Sequence, residues 1–117
     1  MASIPHTTVL QERGVLVLMS WNGMKANDQG EPCEFARFTD RSVHVYGTWG
    51  GATLVFEGGN AGPDLSILDD LKGNQISLTS NKVVGVAQPA MFMRPRVVNG
   101  DGSTNLNVVM MARGTKI

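Results

Sequence analysis

Cysteine occurs once in this sequence, at position 33, and charged residues make up only 17% of it. A lone thiol excludes an internal disulfide and cannot by itself assemble a tetrahedral zinc site. Aromatic side chains are equally scarce, at 6%, which leaves few platforms on which bases could stack. No apolar run approaches the ~20 residues that a membrane-crossing helix needs. The opening Met1-Ala2-Ser3-Ile4-Pro5-His6 has neither the charged start nor the continuous apolar core of a signal peptide, so the expectation is synthesis in a cytoplasm, away from membranes. Ten Lys and Arg offset ten Asp and Glu, so no long-range field gathers nucleic acid, anionic lipid or a charged substrate. The halves barely differ: residues 1–60 hold four basic and six acidic side chains, and residues 61–117 six and four.

Helical periodicity is missing too. Apolar residues recur at every second position or in short runs, with Gly, Asn, Asp and Pro interrupting every ~8–12 residues, the rhythm of a sandwich or barrel. The 117 residues suit one domain that can bury its own core. Its expected division is an extended N-terminal arm over 1–12, polar and marked by Pro5, and a β-sandwich over 13–117.

Gly14 to Met19 reads as a first strand, apolar throughout and so covered on both faces or along an edge. From Asn22 to Pro32 the composition turns polar, with Asn22-Gly23 and Gln29-Gly30 as turn signals, which predicts a long loop. Long loops in small domains are usually functional. Between 42 and 49 the chain alternates, placing Val43 and Val45 on one face and His44 and Tyr46 on the other. Gly50-Gly51 then turns it into a segment whose Ala52, Leu54 and Phe56 face together, which predicts a hairpin. Residues 58–63 read as an open turn, and short strands are expected over 65–68, 75–79, 82–87 and 91–98. Pro95 lies inside the last of these and must sit at an edge, a bulge or a non-bonded position. Asn99-Gly100-Asp101-Gly102 predicts a second hairpin into a final strand with Leu106, Val108, Met110 and Ala112 on one face. The sum is an all-β, single-domain antiparallel β-sandwich, jelly-roll-like in outline.

The search for chemistry returns little. No nucleophile motif accompanies His6 or His44, and ordinary surface or interface roles suit both. Cys33 reads as a buried or incidental thiol. Asn99, Asp101 and Ser103 present oxygens at alternate positions, but the further acidic ligands and terminal Glu of a calcium loop are absent, so a turn is favoured. The glycine runs match no phosphate or dinucleotide loop because no helix follows. No cofactor, metal or catalytic set is expected, and the chain reads as non-enzymatic. Arg94 and Arg96 share a face, and Arg113 falls on the strand expected beside theirs; a protein interface is favoured there over nucleic acid, because Arg recognises carboxylates through two parallel bonds. Trp21 and Trp49 close strands, with core packing favoured and a sugar-stacking platform the alternative. Pro5 and His6 in the arm, Trp21, and Phe35 and Phe38 beside the predicted loop complete the set of candidate contact residues.

The run from Arg41 to Asn60, with its Gly50-Gly51 turn and Glu57-Gly58-Gly59-Asn60, is followed by Gly73-Asn74, Met93-Arg94-Pro95-Arg96-Val97 and Gly100-Asp101-Gly102. Together these resemble the capsid cement, or decoration, proteins of some short-tailed phages. The resemblance spans roughly residues 41–113 and rests on turn and strand residues. It implies a jelly-roll-like virion protein on the outer capsid surface, made in a bacterial host cytoplasm. It further implies the major capsid protein as partner and a dimer or trimer on the shell. A head-completion, neck or tail subunit is the alternative within the virion, and a carbohydrate-binding module for host recognition the alternative outside that class.

Overall fold

The structure is a computed structural model, and it describes residues 2–12, 16–34, 40–61 and 64–114. Among the described residues twelve strands form, in chain order: β1 Ser3–Ile4, β2 Thr7–Glu12, β3 Leu16–Met24, β4 Gln29–Gly30, β5 Cys33–Glu34, β6 Asp40–Thr48, β7 Thr53–Ala61, β8 Asp64–Ile67, β9 Ser77–Leu78, β10 Lys82–Gly85, β11 Phe92–Val98 and β12 Asn105–Arg113. They make two sheets. The seven-stranded sheet runs β1-β4-β11-β7-β8, with β5 beside β11 and β9 beside β7; the five-stranded sheet runs β10-β6-β12-β3-β2. All pairings are antiparallel except the two-residue match of β1 with β4. The all-β antiparallel sandwich, jelly-roll-like in outline, is the architecture expected from the sequence.

The core lies between the sheets. Val43 and Val45 from β6, Leu54 and Phe56 from β7, and Leu106, Val108, Met110 and Ala112 from β12 are all fully buried, as period-2 alternation requires when one face is covered. Trp21 stands edge-on to Phe56, ring centroids 6.3 Å apart at 74°, and donates its indole N–H to the Glu31 carbonyl at 3.0 Å. That bond lets the largest side chain be buried with no unmet donor.

Both predicted hairpins turn out to be corners between sheets. Gly50 and Gly51 do take positive φ of 56° and 77°, and Ala52 N–H closes the turn on the Trp49 carbonyl at 2.9 Å. Yet β6 belongs to the five-stranded sheet and β7 to the seven-stranded one. The same holds for β11 and β12 across residues 99–104. The two corners stack, so that β6 pairs with β12 and β7 with β11, and Thr104 Oγ1 donates to the Trp49 carbonyl at 2.9 Å to tie corner to corner. A tight turn dictates reversal; it does not dictate which strand the returning segment joins.

The predicted loop from Asn22 to Pro32 is also shorter than expected. β3 continues to Met24, and Asn22-Gly23 forms a bulge: Val108 pairs with Trp21 but Leu106 with Met24. Gly23 takes φ 68°, the left-handed conformation such bulges call for. Only residues 25–28 turn, closed by Asp28 N–H on the Lys25 carbonyl at 3.1 Å. Glycines 58 and 59, expected in an open turn, lie within β7.

Within the segment 1–12, expected as an extended arm, β1 and β2 join the chain's own sheets. β1 sits at one edge of the seven-stranded sheet and β2 at the matching edge of the five-stranded sheet, so the segment straps one side of the sandwich. Asp28, itself buried, fastens it by accepting from Ala2 N–H at 3.1 Å and Lys25 N–H at 2.8 Å. Pro95 sits where a missing donor costs nothing. Its β7 partner Phe56 turns its own N–H and carbonyl away, to Ile76 and Leu68. The proline nitrogen therefore faces the break between β4, which meets Arg96, and β5, which meets Met93.

Candidate interaction surface

Along β11 the buried Met93, Pro95 and Val97 alternate with half-buried Phe92, Arg94, Arg96 and Val98. The second set therefore lines the outer face of the seven-stranded sheet. Glu57 on β7 stands directly opposite Arg94, and its carboxylate is divided between the two arginines: Oε1 accepts from Arg94 Nε and Oε2 from Arg96 Nε, each at 3.0 Å. Side-chain exposure is 6% for Glu57, 17% for Arg94 and 35% for Arg96. One carboxylate thus lies under two guanidinium groups. Both its oxygens are charge-paired, which is what allows an anion to sit buried on a sheet surface, and the cluster keeps one net positive charge.

Aliphatic residues frame this cluster where an outward face would ordinarily be polar. Ile67 of β8 is the cross-strand neighbour of Glu57 and is half-buried. Val55, on the outward face beside Arg96, is buried to 4% exposure. Sequence reasoning singled out Arg94 and Arg96 and passed over Glu57. The signal lay in parity: Glu57 is three residues from Leu54, on the face opposite Leu54 and Phe56, and a charged residue there needs a partner across the ladder.

Arg113 does not join them. β11 and β12 are in different sheets, and Arg113 pairs with Asp40 on the five-stranded sheet at 3.0 Å, both side chains 61% exposed. Exposed pairs of this kind are worth roughly 0–1 kcal/mol. Trp21 is fully buried, which is the core packing favoured for it over a sugar-stacking platform, so the indole is not exposed as a contact residue. His6 faces the strap's underside, with Nε2 3.2 Å from Glu31 Oε1 and its ring edge-on to Trp21, centroids 6.2 Å apart. Pro5 is exposed between β1 and β2. Phe35 and Phe38 lie outside the described residues.

The remaining polar groups are structural in geometry. Burial pushes the Cys33 thiol well above its ordinary range, and its Sγ is 3.4 Å from the Met93 carbonyl, the environment of an inert thiol. Arg41 shares the inward parity of Val43 and Val45, is buried, and donates through Nη1 to the Gln88 carbonyl at 3.0 Å; Gln88 in turn bonds Asp69 through its side chain at 2.8 Å. Desolvation lowers the Arg41 pKa. Asp101 is held below the usual carboxylate range by the Ser103 hydroxyl and backbone N–H, and Asp70 by the backbone N–H of Asn74 and then of Lys72, with Lys82 and Lys72 nearby. Both therefore serve as turn clasps. Trp49 Nε1 donates to Asn81 Oδ1 at 2.8 Å, binding the 48–53 corner to the residue before β10. Among the described residues no three His, Cys, Asp or Glu side chains converge on a common point where a metal ion could sit. On the five-stranded sheet, Tyr46 and Val83 are exposed at 41% and 58%, and nearby Leu71 at 75%.

The SPBc2 prophage-derived protein YomS has a similar structure, with a TM-score of 0.67 over 89% of this chain and 97% of that one, at 12% identity. The shared fold is thus that of a whole small protein. Weaker likenesses include protein NMB1881 from Neisseria meningitidis, TM-score 0.46 at 8% identity over 92% and 84% of the two chains. An RmlC-like cupin protein from Desulfovibrio desulfuricans gives 0.46 at 12% identity over 92% and 79%. At that level of overlap neither bears on what this chain does. No protein-family model matches the sequence, and no curated protein matches it significantly.

Proposed function

We propose that this chain is a non-enzymatic virion protein that binds the outer surface of a phage capsid and stabilises the shell. The observation that carries the reading is the fold shared along nearly the whole chain with a prophage-derived protein of matching size; the cement-protein resemblance of residues 41–113 supports the finer assignment. The partner is the major capsid protein, and the bound form is a dimer or trimer. A subunit that binds only the assembled shell stabilises that state by mass action, and many copies acting together turn a modest affinity into a durable coat. A two-sheet body whose corners are tied together suits this task, because a surface organised before binding loses less conformational entropy on docking.

The test is a copy number. Quantitative mass spectrometry of purified particles is expected to find the protein in hundreds of copies, near parity with the shell protein. A handful of copies, located at one vertex, would transfer it to the head-completion, neck or tail subunits, and absence from particles would remove the virion assignment altogether.

A further inference from the structure

We infer that the outer face of the seven-stranded sheet is a docking surface for a polypeptide that presents an Asp or Glu carboxylate on an apolar segment, received by Arg94 and Arg96. The inference deepens the capsid reading by naming the surface and the chemistry of contact, and it rests on that reading only for the partner's identity.

Three observations carry it. First, each guanidinium commits only its Nε–H to Glu57, and among the described residues the Nη groups of Arg94 and Arg96 have no protein acceptor. Those N–H groups keep the fork geometry that suits a carboxylate. Second, the cluster carries two positive charges and one negative, so a single added carboxylate brings it to neutrality. Glu57 sets the positions of both arginines in advance, which lowers the entropy lost when they bind. Third, the surround is apolar: Phe92, Ile67 and Val98 are half-buried around the charges. Arginine and aromatic residues over an aliphatic base are the composition of interface cores. A phosphate-rich polymer would instead call for a run of cations, and Glu57 at the centre of the patch, with Glu34 opposite Phe92 at its margin, opposes one.

The experiment is an NMR titration of the isotope-labelled full-length protein, read at the arginine Nε–H and at Phe92 and Ile67. The probes are an extended acetylated peptide with one Glu between Val and Ile residues, the same peptide with Gln, inorganic phosphate, and oligothymidine. The expected result is saturable shifts at Arg94 and Arg96 with the Glu peptide at millimolar concentration, at least tenfold weaker with the Gln peptide. Equal response to the two peptides, no response to either, or a stronger response to phosphate or oligothymidine would overturn the inference, the last pointing to an anion or nucleic-acid site. A triple variant, R94M/E57L/R96M, replaces the ionic cluster with apolar groups of similar size, a change that folded proteins generally tolerate. Its folding is checked by thermal melt, and it must lose the peptide response. Full occupancy of that variant on particles would sink the docking surface and leave the virion assignment standing, whereas a positive peptide titration with no protein on particles would do the reverse.

Discussion

Replacing Gly30 with Ala tests how the strap side of the sandwich is packed. A methyl group on Gly30 would lie 2.7 Å from Pro95 Cδ, 2.9 Å from Pro95 Cγ and 2.8 Å from Trp21 Cδ1, whereas carbon atoms in contact settle at ~3.5–4.0 Å. Something must therefore withdraw by roughly 0.7 Å or more. Neither neighbour is a flexible chain end. The Pro95 ring is fixed to its own backbone, in a strand paired with β7 from Phe92 to Val98. Trp21 is fully buried and held by its bond to the Glu31 carbonyl and by Phe56. Overpacking of such a site costs about 1–3 kcal/mol, and the rigidity on both sides places this case near the top. The conformational gain of Ala over Gly in a strand returns roughly 0.5–1 kcal/mol, for a net loss of about 2 kcal/mol. For a chain of this length that corresponds to a fall in Tm of roughly 8 °C. Urea and thermal unfolding, followed by tryptophan fluorescence, measure it. The double variant G30A/P95A removes two of the three obstructing atoms, so the pair should be coupled by about 1 kcal/mol or more in the favourable sense. A G30A protein within ~0.5 kcal/mol of the parent, or strict additivity with P95A, would refute the packing argument: the first would mean that the methyl group finds room, the second that the Pro95 ring is not what obstructs it.

Three further outcomes follow from the same structure. Cys33 is expected to resist a thiol-disulfide reagent in the folded protein at pH 8 and to react at the rate of unfolding, because burial opposes thiolate formation; rapid stoichiometric labelling without denaturant would contradict its placement. Glu57→Gln is expected to destabilise the fold by about 2–4 kcal/mol in chemical denaturation, less than a fully buried pair would lose, because Arg96 is one-third exposed; a stability unchanged by the substitution would mean the carboxylate is hydrated. Asp70 and Asp101 both have lowered pKa values, so the support they give their turns is complete above the ordinary aspartate range and is lost as pH falls through their folded-state values. Carbon-detected NMR titration should place both midpoints below that range, and midpoints at or above it would remove the clasps.

Much of the fold was legible because sheet burial has period two. The inward sets Val43 and Val45, Leu54 and Phe56, and Leu106 through Ala112 could be assigned from alternation alone, and Pro95 correctly announced a backbone position without a bonding partner. What alternation cannot carry is strand partnership. Gly50-Gly51 and Asn99-Gly100 reverse the chain in either case, and the sheet that each returning strand joins is a matter of long-range pairing, β6 with β12 and β7 with β11, with Thr104 bonded to the Trp49 carbonyl across the two corners. Asn22-Gly23 illustrates the same limit. The dipeptide supports a positive φ whether it ends a strand or bulges within it, and the choice rests on Leu106 and Val108 across the ladder.

The candidate site was half legible for a related reason. Arg94 and Arg96 were visible as a pair because they are two residues apart on one strand, so their common face follows from local geometry. Arg113 was grouped with them only through an assumed hairpin, and it left the group when β12 took its place beside β6 and β3. Glu57 entered for the converse reason: it is 37 residues from Arg94 in sequence and adjacent to it only because β7 and β11 pair. Charge on a sheet surface is therefore a property of the ladder and not of the strand. The cluster's net charge of plus one arises from that pairing, and a register slip of a single residue between β7 and β11 would turn Glu57 inward and leave two guanidinium groups side by side. The ion cluster thus also penalises misregistered pairing of the same two strands, so that the surface offered to a partner and the accuracy of the sheet beneath it depend on the same three side chains.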